Sequence, residues 1–210
     1  NIKMRRWLCA EGTKDRAMGR AIWEMCSQDI LFFMNNFIWL YEPRWEESPV
    51  VPFLTWDFQD ETMTQINKSI GKKDLLIEKS RDMGVTWMLL LVFLWRWLFR
   101  PYQSFLVASR NERAVDATDN PDCLFWKIDF ALKWLPVFLK PNFSRMKLNI
   151  ANSDNGSVID GVSTTGDLSR GGRRTAIDLD EFASVAEGHE VLASVHDVTN
   201  SVFFGSMPKG

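Results

Sequence analysis

One stretch constrains the fold more than any other. Asp74-Leu75-Leu76-Ile77-Glu78-Lys79 is followed by Ser80-Arg81-Asp82-Met83-Gly84-Val85-Thr86, and then by the apolar segment 87–99. The first run has the length and apolar character of a buried strand, set off by Gly71 from a helix predicted over 61–69. The apolar segment is 13 residues long and interrupted by Arg96, short of the ~20 residues a membrane-spanning helix needs. It is therefore predicted as a buried helix. A buried strand, a glycine turn and a long buried helix need cover on both faces, which points to a layered α/β domain.

The rest of the chain repeats the alternation. Strands are predicted at 104–109, 147–151, 157–164, 175–179 and 201–205, with helices at 111–117, 123–135 and 185–195. The expected fold is a mostly parallel central sheet flanked by helices. Upstream, Ala21, Ile22, Met25, Ile30, Phe33 and Phe37 recur at helical spacing, so a helix is predicted over 15–42, followed by a proline-containing loop over 43–52. Residues 1–52 are expected as a helical extension and 53–210 as the core domain.

A chain of 210 residues with 46% hydrophobic content has ample material for one core. The net charge of −2 argues against a protein that coats nucleic acid by bulk electrostatics, so any DNA contact must be local. Cys9, Cys26 and Cys123 are odd in number and form no CxxC pair, which suits a reducing compartment. No signal-peptide pattern is present, and a cytosolic location is expected.

The turn between strand and helix is where a phosphate-binding loop must sit. Backbone N–H groups at a helix N-terminus face an anion there, Gly84 permits close approach, and the Thr86 hydroxyl can hold Mg²⁺. The GxxxxGK[ST] pattern fails twice, with Lys79 at the first glycine and Val85 at the lysine. Lys79 and Arg81 are the loop's own cations; a merely solvated loop stays open on this segment alone. A second motif favours the phosphate reading. Thr175-Ala176-Ile177-Asp178-Leu179-Asp180-Glu181-Phe182 is an apolar strand ending in adjacent carboxylates, a Walker B arrangement. Asp180 is expected at a metal shell and Glu181 at the attacking water. Asp178, two residues earlier on the same strand face, is a second candidate for the metal shell or for a polar neighbour.

With both motifs placed, residues 56–210 resemble the large terminase subunits of tailed bacteriophages. The family's loop often reads Ser-Arg-x-x-Gly-Lys-Thr, against Ser80-Arg81-Asp82-Met83-Gly84-Val85-Thr86 here. Some members carry their lysine at the loop's start, as Lys79 does. Trp56-Asp57-Phe58-Gln59 resembles the adenine-recognition segment, in which the glutamine reads the base. Gly205-Ser206-Met207-Pro208-Lys209-Gly210 resembles the coupling motif, with Ser206 sensing the γ-phosphate. Ser169-Arg170-Gly171-Gly172-Arg173-Arg174 is similar to the stretch that supplies a catalytic arginine, Arg170 first and Arg173 second, although such a loop also suits solvent or DNA phosphates.

The resemblance implies a P-loop ATPase of the RecA-like division, using ATP and Mg²⁺ to move double-stranded DNA into a procapsid. It implies a subunit ring at the portal protein, a small terminase subunit as partner, and the host cytoplasm as location. A nuclease domain usually follows in the family; no nuclease activity is expected of this chain. A degenerate nucleotide-binding module and a helicase-like translocase fragment are the alternatives; intact Glu181 argues against the first and the lack of a second motor domain against the other. His189 and His196 have no third ligand at a suitable spacing for a metal.

Overall fold

The structure, a computed structural model, describes residues 1–45, 47–78, 80, 83–164, 172–182 and 188–206. It opens with three helices, α1 (Ile2–Lys14), α2 (Arg16–Gln28) and α3 (Ile30–Phe37). The helix predicted over 15–42 is thus broken, and α1 precedes it. The breaks lie at aspartates that serve as N-caps. Asp15 accepts hydrogen bonds from Ala17 and Met18 N–H, and Asp29 accepts one from Phe32 N–H. In the region predicted as the end of that helix and a loop, β1 (Trp39–Tyr41) and β2 (Val50–Pro52) pair as an antiparallel hairpin.

The core then runs α4 (Asp57–Ser69), β3 (Leu75–Glu78), α5 (Val85–Phe99), β4 (Ser104–Ser109), α6 (Glu112–Val115) and α7 (Leu124–Trp134). A 3₁₀ turn at Val137–Leu139 precedes β5 (Phe143–Met146), β6 (Asn149–Asn152) and β7 (Val158–Ser163). The described chain ends with β8 (Ala176–Asp180), α8 (Gly188–His196) and β9 (Val202–Ser206). Strands β3 to β9 form a seven-stranded sheet in the order β3-β9-β8-β4-β7-β6-β5, separate from the β1–β2 hairpin. The first five run parallel; β6 is antiparallel to β7 and to β5. The expectation of a mostly parallel sheet holds. Its antiparallel edge follows from loops too short for a parallel crossover, and β5 is a strand the sequence pattern did not reveal.

Helix α5 is apolar nearly all round because it lies between the sheet and the N-terminal helices, with twelve of its fifteen residues buried. Strand alternation sorts the sheet's two faces. Phe105, Val107, Ala176 and Phe203 join α5 and α1–α3 in one cluster, with Phe93 stacked on Phe105 at 4.4 Å between ring centroids. Leu106, Ala108, Ile177, Leu179 and Val202 face Val191 and Val195 of α8. Among the described residues no helix is long and apolar enough to cross a membrane.

Candidate nucleotide site

Because β3, β9, β8 and β4 are parallel, their carboxyl ends share one edge of the sheet. The chain leaves β3 for β4 but later inserts β9 and β8 between them, and such reversals open a crevice at the carboxyl edge of an α/β sheet. Into that edge come the start of α5, the end of β8, the end of β9 and the residue after β4.

Gly84 caps α5 with φ 75°, a left-handed conformation that glycine adopts without steric cost. It starts α5 at the carboxyl edge of the sheet, so the helix N-terminus, with its partial positive charge, lies there. A Cβ at Gly84 would lie 3.4 Å from Gln59 Nε2, so this position also keeps the loop close to α4. Two residues on, the Thr86 hydroxyl donates to Asp180 Oδ1 at 3.0 Å. This bond joins the phosphate-loop helix to the acidic strand across 94 residues of sequence. Val85 explains the missing lysine: its side chain is buried in the main cluster, against the α5 side of the sheet beside Gly205.

Glu181 follows directly in the left-handed region, φ 56°, and its N–H donates to Gly205 O at 3.0 Å. The turn ends β8 abruptly and leaves the carboxylate half-exposed at the edge. Arg110, immediately after β4, places Nη1 3.9 Å from Glu181 Oε2. Both side chains are well exposed, so this contact contributes little to stability. Arg110 is a cation of the edge that motif reading missed; its place just after the strand predicted at 104–109 was the available signal.

Gln59 is buried, 8% exposed. Its Oε1 accepts from Trp56 N–H at 3.2 Å and its Nε2 donates to Met83 O at 3.3 Å, tying α4 to the loop. The Trp56 ring beside it is 70% exposed. Ser206 ends β9 in register with Glu78, and Gly205 with Asp180, so β9 delivers its last residue between the loop and the acidic pair. Ser80 is an exposed member of the loop.

Asp178 and Arg173 lie off the carboxyl edge. Asp178 is 0% exposed and registers with Val107 and Phe203 in the strand interior, inside the sheet and off its edge. Arg173 is exposed and precedes β8 at its amino end. The seven positions from it to Asp180 span roughly 20 Å of extended chain, too far for its side chain to reach the site of its own copy. Its neighbour Arg174 donates to Ser104 Oγ at 3.0 Å and pairs with Asp160. Lys79, Arg81, Asp82 and Arg170 lie outside the described residues. His196 pairs with Asp74 at 2.9 Å. Among the described residues no group of three or more His, Cys, Asp or Glu side chains converges as a metal cluster.

No family model matches the chain. No curated protein matches it. Solved structures do. The large terminase of bacteriophage HK97 superposes with a TM-score of 0.63 at 13% identity, covering 86% of this chain and 37% of that one. The large terminase of a thermophilic bacteriophage gives 0.54 at 13% identity, covering 73% of this chain and 39% of that one. The chain therefore has the α/β fold found in these terminases, and spans less than two fifths of the length of either.

Proposed function

We propose that this chain is the ATP-hydrolysing motor domain of a terminase-like large subunit, which uses ATP and Mg²⁺ to translocate double-stranded DNA into a procapsid. The observation that carries the reading is the Thr86–Asp180 bond, which brings a hydroxyl at a helix N-terminus and a strand-end carboxylate together, with Glu181 next in sequence. Those two oxygens are the hard donor set that Mg²⁺ prefers. When bound there, the ion would neutralise charge on the β- and γ-phosphates.

The remaining roles belong to the chain. N–H groups at the Gly84 turn and the first turn of α5 bind phosphate oxygens. Val85 contributes only its backbone, so Lys79 or Arg81 supplies the loop's cation, with Ser80, Asp82 and Met83 completing the cradle. Glu181 orients the attacking water and accepts its proton. Ser206 senses the γ-phosphate, and Gln59 reads the base edge. Arg170 is the arginine that stabilises the transferred phosphoryl group. Arg173 could serve only from a neighbouring copy, which suits a ring assembled at a portal protein with a small terminase subunit. Residues 1–52 act as an accessory extension to the 53–210 motor core, in the host cytoplasm.

Steady-state ATP hydrolysis measured against protein concentration tests this. The expected result is specific activity that rises with concentration and disappears in Glu181→Ala. The variant of Lys79→Ala and Arg81→Ala with the larger loss of ATP affinity identifies the cation. A wild type that binds no nucleotide at millimolar concentration with Mg²⁺ would falsify the reading.

A further inference from the structure

We propose that Asn35 and Thr55 are positioning residues for recognition of the nucleotide base, acting through Gln59; this rests on the nucleotide-binding reading above. Asn35 lies in α3, outside the layered core. Its Nδ2 donates to Leu31 O at 3.0 Å and Thr55 Oγ1 at 2.8 Å, while its Oδ1 accepts from Thr55 N–H at 3.1 Å. One amide thus holds the hydroxyl and the backbone N–H of Thr55 together. A second anchor lies just upstream, where the buried Arg5 guanidinium donates to Phe53 O at 2.7 Å.

Trp56, the next residue, is the N-cap of α4: its ring is 70% exposed and gives its backbone no packing anchor, while its carbonyl accepts from Gln59 and Asp60 N–H at 2.8 and 3.0 Å. Its N–H nevertheless fixes Gln59. An N–H demands an acceptor and a carbonyl demands a donor, so Trp56 N–H and Met83 O together dictate which end of the Gln59 amide is oxygen and which is nitrogen. A primary amide carries two donors and accepts at two lone pairs, so one donor and one acceptor remain. That pair matches adenine, which offers an N6 donor beside an N7 acceptor, and mismatches guanine, whose O6 and N7 both accept. Discrimination by Gln59 requires the amide not to flip. The flip is set by the Trp56 N–H, and Asn35 and Thr55 hold the backbone that carries it.

The test titrates the chain calorimetrically with Mg-ATP, Mg-GTP and inorganic tripolyphosphate, for the wild type, Asn35→Leu, Thr55→Val and Thr55→Ser, with thermal melting as the check on folding. The wild type is expected to prefer ATP over GTP. In Asn35→Leu and Thr55→Val, ATP affinity drops about tenfold, the size of one lost bidentate base contact, while GTP and tripolyphosphate affinities stay put. Thr55→Ser, which keeps the hydroxyl, retains the wild-type preference. Folded Thr55→Val with an unchanged ATP-to-GTP ratio overturns the proposal, as does a wild type that binds tripolyphosphate but shows no base preference; the latter spares the phosphate site. A wild type that binds none of the three overturns both readings.

Discussion

Glu181 shows how much local geometry the site depends on. L-residues pay about 1–2 kcal/mol for the left-handed region, and Glu181 adopts it with φ 56°. The turn is held by the N–H bond to Gly205 O, and its result is a carboxylate presented one residue beyond Asp180. Glu181→Gly relieves the backbone and removes the carboxylate. The expected outcome is a gain of about 1 kcal/mol in thermal stability together with loss of hydrolysis; a lower melting temperature would show that the turn carries no strain. Thr86→Val keeps the shape of the side chain but removes the hydroxyl that donates to Asp180. Its predicted effect is weaker ATP binding in Mg²⁺ with little change in EDTA, read by titration in the two buffers. Equal losses in both would assign Thr86 to packing.

At the scale of elements, close approaches decide where helices and strands sit. Helices α1 and α2 meet through glycines: a Cβ at Gly19 would lie 2.5 Å from Gly12 O. Backbone cannot yield cheaply, so Gly19→Ala is expected to cost about 1–3 kcal/mol by overpacking, measured by denaturant unfolding. The β5 edge is pinned by Arg145, whose guanidinium meets Asp116 at 2.7 and 3.0 Å and Asp129 at 3.0 Å. Burial pushes Asp116 up, but the hydrogen bonds from Arg145 and Leu148 N–H outweigh it and hold the carboxyl below its ordinary value. Its folded value is depressed, so its contribution is complete above the ordinary aspartate range and fades as pH falls through the folded value. Arg145→Met should therefore cost about 1.5–3 kcal/mol near neutrality and progressively less below about pH 4. A pH-independent loss would contradict the pairing. Asp129 is raised by burial, and its hydrogen bond from Arg145 offsets part of that rise, so losing that bond adds to the same trend.

These elements were unequally legible. The strand predicted at 104–109 has the bounds of β4, because five of its six residues are buried and apolar character alone marked it. β5 was invisible: Phe143, Ser144 and Met146 are exposed and show no apolar alternation. The aspartate caps at 15 and 29 were in the sequence, but continuous apolar spacing over α2 and α3 masked them.

For the whole molecule, the sheet order is what converts separated motifs into a site. Spacing placed Thr86 after one strand and Asp180 at the end of another; only the insertion of β9 and β8 between β3 and β4 sets them 3.0 Å apart. Asn35, Thr55 and Arg110 escaped motif reading for the same reason, since their relevance comes from tertiary neighbours. The same topology puts Arg173 at the far end of β8 from Asp180. The proposed ATP hydrolysis at this carboxyl edge depends on Glu181 as its base. The direct measurement is phosphate release by the wild type and Glu181→Gln with Mg²⁺, alongside ATP affinity. Glu181→Gln is expected to bind ATP as the wild type does while release falls by about 10²-fold or more; phosphate release equal to the wild type's would rule Glu181 out as the base.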